Sequence, residues 1–249
     1  QTKNWKFLKE KILKWLKKLI EWKFVKIENK KLIATRIGKR VSELYIDPLS
    51  ANILIEGIKR FSNHDEFSLL SLISNCTEMK FLVSVRESEI ENLAKIYYKN
   101  KDKFLFEVPE EFDIEFEYFL NTLKLTLVLQ DWINEETEEK IFEKYKIAPG
   151  ELRVILDNAD WLLYSMQELC ILIGKLDVLK KIRKLRIRIK YGIKEELIEL
   201  IRIEGIGRVK ARKLYNSGIK DILTLKKVPL ITLEILLGPK TARKVKEII

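Results

Sequence analysis

The sequence of 249 residues predicts a mainly α-helical fold. With 9 Gly and 5 Pro, the chain has too few turn residues for a β sandwich built from many short strands. Apolar residues recur at three- and four-residue steps over most of the chain, which is the period of an amphipathic helix. No stretch alternates strands with helices as a parallel sheet requires. At roughly 100–200 residues per domain, the length allows one to three domains.

The first predicted elements, in residues 1–46, are a helix and a β-hairpin. Two β-like runs at 24–27 and 31–34 follow the helix, separated by a polar turn. A recognition helix followed by a two-stranded wing is how a winged-helix domain ends, so this order of elements is typical of the end of such a domain. The opposite face of the helix carries lysines, which either contact nucleic acid or are simply solvated. The apolar face is formed by Trp5, Leu8, Ile12, Trp15, Leu19 and Trp22.

From Asp47 to about Gly192 the sequence predicts a helical bundle. Asp47 and Pro48 mark a boundary, and Ser50 is a candidate N-cap of the next helix. Prolines and polar clusters separate the periodic segments, and no strand pattern interrupts them. The predicted helices span 50–60, 65–74, 88–99, 115–134, 137–145, 150–173 and 177–190.

The helix predicted over 150–173 carries an unusual tryptophan. Pro149 lies at its start and Gly174 at its end. At about 100° per residue, Trp161 falls opposite the apolar stripe of its own helix. A tryptophan in that position is either covered by another domain or exposed for stacking.

The segment 175–194 predicts a basic amphipathic helix. It contains nine basic residues and a single acid, Asp177. Such a helix can bind a membrane surface or an acidic partner helix. Because the segment leads directly into a second basic motif, we favour nucleic acid as its ligand.

That motif is a helix-hairpin-helix pattern within 200–218. Two glycines let the backbone turn tightly and approach a phosphate, the apolar residue between them anchors the turn, and the following helix points its amides at the phosphate. Basic side chains add contacts that do not read bases. A second, degenerate half lies at 236–242, and the alternative is a structural hairpin without a ligand. The candidate DNA-binding residues of the first half are Gly205, Ile206, Gly207, Arg208, Lys210, Arg212 and Lys213.

Charge is distributed unevenly along the chain. The net charge is +11 overall, with +10 in residues 1–46, −9 in 47–150 and +10 in 151–249. Basic modules commonly bind polyanions, whereas a lysine-rich solvated surface of a thermophile is the alternative.

Cysteine and histidine usage excludes several kinds of site. Cys76 and Cys170 cannot form a disulfide scaffold, indicate a reducing compartment such as the cytoplasm, and are expected to be buried. With His64 as the single histidine, we predict neither a metal site nor a catalytic residue. No apolar run approaches the ~20 residues of a membrane span, and no secretory signal is present. Since the chain starts at Gln1 rather than Met, we expect it to be part of a longer protein.

Four stretches, at 34–49, 131–135, 147–162 and 189–216, together span most of the chain. In sequence and in order they resemble the C-terminal half of archaeal Hjm-type superfamily 2 (DEAD/DEAH-box-like) DNA helicases. The resemblance implies the end of a winged helix at 1–46, a helical ratchet domain at 47–199 and a helix-hairpin-helix domain at 200–249. The motor domains of the family, which use ATP and Mg²⁺, lie upstream, and no phosphate-binding loop occurs here. The fragment is therefore expected to lack cofactors and to be inactive alone.

The resemblance also implies roles for individual residues. In the family, a tryptophan at the position of Trp161 stacks on a base of the translocating strand. The arginine often found seven residues earlier is replaced by Val154, with Arg153 beside it. The basic run of the family's hairpin, which holds the 3′ tail, corresponds to 208–212, where Lys210 replaces an arginine and lacks its planar fork.

The implied function is the non-catalytic, single-stranded-DNA-binding portion of an ATP-dependent 3′–5′ DNA helicase in replication-fork repair and recombination. Its expected partners are single-stranded or forked DNA and its own upstream motor domains. It is expected to be a monomer without a membrane partner. The alternatives are the same modules in an RNA-processing helicase, a protein-binding scaffold with incidental nucleic-acid contact, and a helix-hairpin-helix glycosylase or nuclease.

Overall fold

The computed structural model describes residues 2–249, with side chains from Trp5 onwards. Within this range it contains fourteen α-helices and one two-stranded antiparallel hairpin. The prediction of a mainly α-helical fold is confirmed. The first elements are α1 (Thr2–Glu21), β1 (Val25–Glu28), β2 (Lys31–Ala34), α2 (Arg36–Glu43) and α3 (Pro48–Arg60). The next are α4 (Glu66–Ser74), α5 (Glu87–Lys99), α6 (Ile114–Ile133), α7 (Glu138–Tyr145), α8 (Pro149–Ile173) and α9 (Leu176–Tyr191). The last are α10 (Ile198–Ile201), α11 (Arg208–Asn216), α12 (Ile222–Lys227), α13 (Leu230–Leu237) and α14 (Pro239–Ile248).

The hairpin follows α1 as the sequence predicts, with a shift of one residue. Asn29 and Lys30 form its two-residue turn with φ of 50° and 59°, the left-handed values that tight hairpin turns require. This turn places Glu28 opposite Lys31. The first strand therefore starts one residue after the predicted run at 24–27. The assignment of this part to a winged helix stays a prediction.

The structure adds one helix that the sequence did not predict and gives another a different N-cap. The hairpin leads into α2, which the apolar pattern did not predict, and Thr35 caps it by accepting a hydrogen bond from the Gly38 amide at 3.1 Å. The cap of α3 is Asp47, whose Oδ1 accepts from the Leu49 amide at 2.7 Å. The prediction of Ser50 as this N-cap is wrong, because Ser50 is buried inside the helix.

Among the side chains described from Trp5 onwards, the helices enclose two main hydrophobic clusters and one smaller one. The larger cluster draws its buried residues from 24–189 and the second from 193–245. The smaller cluster is rich in aromatic rings from α5 and α6. Gly192 joins α9 to the second cluster with φ of 61°, and a Cβ at this position would lie 2.7 Å from the Trp132 ring. This joint permits only glycine, because of both its backbone conformation and its packing. The predicted domain limits stay predictions.

Both cysteines are free and lie in the larger cluster. Burial, together with the nearby Asp177 carboxylate, raises the pKa of the Cys170 thiol to about 12. Burial likewise raises the pKa of the Cys76 thiol. Both side chains thus remain neutral and unreactive at physiological pH. Among residues 2–249, no helix is both long enough and apolar enough to cross a bilayer.

Candidate nucleic-acid interface

Trp161 lies midway along α8, on the side that faces the segment after α2. Its ring is partly buried against the larger cluster, and its Nε1–H donates to the Leu44 carbonyl at 3.0 Å. Two turns further along α8, Glu168 accepts from Arg40 of α2 at 2.7 Å. The sequence left open whether the Trp161 ring is covered or exposed for stacking, and in the structure the ring is partly covered. The stacking role of Trp161 stays a prediction, restricted to the exposed part of its ring.

Arg153, the other predicted contact on α8, is exposed. Its guanidinium forms an ion pair with Asp157 at 3.1 Å, one turn along the same helix. Such an exposed pair contributes little to stability and is easily exchanged for another anion. Val154, at the position where the resemblance implies that arginine is often found, is exposed beside it.

The turn between α10 and α11 has the backbone that the motif predicts. Gly205 has φ of 88°, Ile206 is buried in the second cluster, and Gly207 is the N-cap of α11. A Cβ at Gly207 would meet no atom within 4 Å, so the backbone there is open to a close approach. The first amides of α11 have no acceptor within the helix, and they suit an anion.

The second half of the motif also turns at a glycine with positive φ, and here this glycine is itself the N-cap of the following helix. Gly238, with φ of 84°, separates α13 from α14. The two halves are tied together by Lys210, whose Nζ donates to the Thr241 hydroxyl at 2.6 Å. Lys210 is therefore a link within the motif, whereas Lys213 is exposed and forms no ion pair with any residue in the range 5–249.

Arg208 of the hairpin turns toward the helical bundle. Its guanidinium lies 4.9 Å from the Trp132 ring centroid, and Nη2 donates to the Glu136 carbonyl at 2.6 Å. Burial lowers the pKa of Arg208, against the opposing effect of nearby carboxylates, but the group stays charged at neutral pH.

Arg212 is held between two carboxylates, and we name this group of three side chains the clamp. Nε and Nη2 of Arg212 donate to the two oxygens of Glu135 at 2.7 and 2.5 Å, and Nη2 also donates to Glu196 at 2.8 Å. Hydrogen bonding to the carboxylates raises the pKa of Arg212. Burial alone would raise the pKa of Glu135, but the bonds from Arg212 and from the Lys194 amide outweigh it and lower that pKa. Two of the four predicted basic contacts of the hairpin are thus engaged with the bundle.

A basic cleft of about 780 Å³ lies between α8, α9 and the hairpin motif. Arg153 lines it from α8, Arg183 and Lys190 from α9, and Arg202 from the end of α10. Arg183, Lys190 and Arg202 are exposed and form no ion pair within residues 5–249. Tyr191 and the other aromatic lining residue, Trp132, provide ring surfaces. Of these cleft residues, only Arg153 was predicted individually as a DNA contact, whereas Arg183 and Lys190 belong to the basic helix predicted over 175–194.

The basic residues of α9 divide into engaged and free groups. Arg188 is buried and contacts Glu66, with further donations to the carbonyls of Ile193 and Ile133. Arg186 pairs with Asp160, and Lys184 and Lys181 are also engaged. The run at 175–194 indicated the cationic helix, but only contacts distant in sequence separate these groups.

Comparison with known proteins identifies relatives of most of the chain. The model of the family described as archaeal helicase, domain 4, matches residues 67–192, which include α8 and α9. The ATP-dependent DNA helicase Hel308 of Methanocaldococcus jannaschii is 43% identical over 211 residues, covering 85% of this chain and 17% of the relative. Hel308 of Thermococcus kodakarensis is 38% identical over 222 residues, 87% of this chain and 20% of the relative. Hel308 of Pyrococcus abyssi is 33% identical over 232 residues, which cover 91% of this chain and 32% of the relative. The chain thus spans a third or less of the length of these relatives.

Proposed function

Because the chain belongs to the family of archaeal Hel308-type helicases, we propose that it is the strand-guiding, non-catalytic part of an ATP-dependent DNA helicase. Translocation from 3′ to 5′ and action in replication-fork repair and recombination belong to this proposal. ATP and Mg²⁺ would be bound by motor domains outside these 249 residues. The part described here would act as a monomer on single-stranded or forked DNA.

The observation that carries the proposal is the basic cleft. Arg183, Lys190 and Arg202 present free cations along one groove. Of the three carboxylates that line it, Asp157 pairs with Arg153 and Asp160 with Arg186, so the lining has five cations against three acids. A groove of this kind follows a phosphate backbone without reading sequence. The first turn of α11 continues the path with unpaired amides beside Gly207.

Aromatic rings would add contacts to bases. The exposed part of Trp161 and the Tyr191 ring are candidates, because every base has a π face and stacking is tolerant of sequence. With phosphate contacts and stacking together, the binding would depend strongly on salt and weakly on sequence. Such binding suits a module that lets the strand pass rather than holding one site.

Fluorescence anisotropy with a labelled single strand at several salt concentrations tests the proposal. We expect the slope of log K against log salt to decrease in magnitude by about 0.7 for each of Arg183→Gln, Lys190→Gln and Arg202→Gln. Lys99→Gln, which removes an exposed cation of α5 outside the cleft, is the matched control and leaves the slope unchanged.

Two further variants test the residues predicted from the sequence. We expect Trp161→Ala to weaken binding about 5-fold or more, through loss of stacking. We also expect Arg212→Ala to weaken it, because the variant leaves the carboxylates of Glu135 and Glu196 beside the hairpin without their cation. Unchanged affinity in both variants contradicts the assignment of these residues. Competition between DNA and RNA strands of the same sequence distinguishes the DNA helicase from an RNA-processing relative.

A further inference from the structure

A second groove, opposite in charge to the basic cleft, lies between the start of α6 and the loop that precedes α5. It encloses about 400 Å³ and shares no lining residue with the basic cleft. Its walls are largely apolar, and one buried hydroxyl at its lining, Ser74 Oγ, has no hydrogen-bond partner among the described residues. We name it the acidic groove. Its apolar lining includes Met79, Phe81, Phe106, Pro109, Tyr118 and Phe119.

Large apolar side chains at the acidic groove face solvent. Phe81 is 90% exposed and Tyr118 is 61% exposed, and both line the groove. On the adjoining segment of the chain, Phe112 just before α6 and Ile114 at its first position are 98% and 76% exposed. Phe81 also has φ of 66°, a left-handed conformation that residues with a side chain rarely adopt. Exposed apolar residues clustered in this way mark binding surfaces rather than ordinary solvated surface.

Two carboxylates, Glu107 and Glu115, line the groove, and four more lie on the same segment of the chain. Residues 104–123 contain six acidic side chains and no basic one. Within residues 5–249 none of the six forms an ion pair, while Lys80 is the one cation that lines the groove. Unpaired acids around an apolar surface attract cations and repel phosphates. The six residues are Glu107, Glu110, Glu111, Asp113, Glu115 and Glu117.

We propose that the acidic groove binds a segment of a partner protein in which an aromatic or leucine side chain is flanked by Lys or Arg. The apolar side chain would enter between Phe81 and Tyr118, and the flanking cations would meet Glu107 and Glu115. The surface is separate from the proposed strand path, so the chain would hold DNA and this partner at the same time. This role adds protein recruitment to strand guiding and does not depend on it.

Selection from a phage-displayed library of random peptides, with the 249-residue chain as the target, tests the proposal. Enriched peptides are expected to combine an aromatic residue or leucine with Lys or Arg. Synthetic copies should bind at least about 10-fold more weakly to Phe81→Gly, because the ring is lost while glycine accepts the left-handed backbone. Tyr45→Gly is the matched control, since Tyr45 is 86% exposed with φ of 58° and does not line the groove.

A charge variant supplies the second arm of the test. Glu107→Gln combined with Glu115→Gln should weaken the same peptides several-fold and reduce their salt dependence. The proposal is overturned if no peptide is enriched on the wild-type chain relative to Phe81→Gly. It is equally overturned if enriched peptides lack basic residues, if the charge variant binds them unchanged, or if a single DNA strand displaces them. Circular dichroism checks that each variant retains its helical content.

Discussion

The clamp formed by Arg212, Glu135 and Glu196 leads to a prediction about how the hairpin motif is held on the bundle. Arg212 lies on α11, Glu135 follows α6, and Glu196 precedes α10. Arg212→Ala removes three charged hydrogen bonds at once. Glu135→Gln keeps the size of the side chain but removes the charge that receives two of them. Comparing these variants measures how much the clamp contributes to the free energy of unfolding.

The expected magnitude lies between those of exposed and buried ion pairs. The side chains of Arg212 and Glu135 are 26% and 14% exposed. Exposed pairs contribute about 0–1 kcal/mol, whereas breaking a buried pair costs about 3–5 kcal/mol. We therefore expect Arg212→Ala to lower the free energy of unfolding by about 2–3 kcal/mol and Glu135→Gln by about 1–2 kcal/mol. The coupling energy between the two positions should be about 1–2 kcal/mol.

Urea unfolding of the wild type, both single variants and the double variant gives the coupling energy. Helix content is followed by circular dichroism, and tryptophan fluorescence reports on the part of the chain before the hairpin motif, because all 5 tryptophans lie in residues 1–161. Destabilisation of the double variant by the full sum of the single effects, within about 0.3–0.5 kcal/mol, would refute the clamp as a coupled unit.

The clamp also predicts a dependence on pH. The folded-state pKa of Glu135 is lowered from its ordinary value of 4.5, and that of Glu196 is lowered as well. Carboxylates of this kind stabilise the fold fully above their unfolded pKa and lose this contribution as the pH falls through the folded value. The difference in stability between wild type and Arg212→Ala should thus be constant near neutral pH and shrink below about pH 4.5. A difference that grows on acidification contradicts the assignment.

Three further predictions concern single positions, each measured by thermal or urea unfolding. Gly192→Ala should lower the free energy of unfolding by about 2 kcal/mol or more, since the added Cβ meets the Trp132 ring. Gly174→Ala has the same left-handed backbone in open space and should lower it by only about 1 kcal/mol. Equal effects of the two variants would contradict the packing argument. Trp161→Phe should cost about 1 kcal/mol, because a backbone carbonyl after α2 loses its donor, and stability equal to wild type would show that this bond is unimportant. Arg188→Met should lower the free energy of unfolding by about 3 kcal/mol, because two carbonyls and a carboxylate lose their donor. An increase in stability would show that these contacts do not stabilise the fold.

The long helices could be predicted because their ends carry strong local signals. Pro149 and Gly174 bracket α8, and the predicted span of 150–173 agrees with Pro149–Ile173. The helix α2 was not predicted because its eight residues make only about two turns, too few for apolar residues to show a helical period. Ser50 was assigned as a cap on residue type alone, although Asp47 also stood before Pro48 and forms the actual cap.

The residue types of the candidate site could be predicted from the sequence, but which of its cations are already paired within the fold could not. The glycines of the hairpin and the unusual position of Trp161 follow from spacing and helical periodicity. Whether a cation is free depends on partners far along the chain, as with Arg188, which meets Glu66 across more than a hundred residues. Arg183 has the same charge and lies on the same helix, but it faces the basic cleft. Local sequence carries no signal that separates these two arginines.

The opposite charges of the basic cleft and the acidic groove affect the rate and direction of encounters as well as the bound state. A polyanion approaching this molecule is attracted toward one surface and repelled from the other. The molecule therefore reorients before contact, and more collisions begin with the cleft facing the strand. In 1 M salt, where charges are screened beyond about 3 Å, this bias disappears. Neutralising the acidic side would then permit more collisions in unproductive orientations, although no bound contact had been altered.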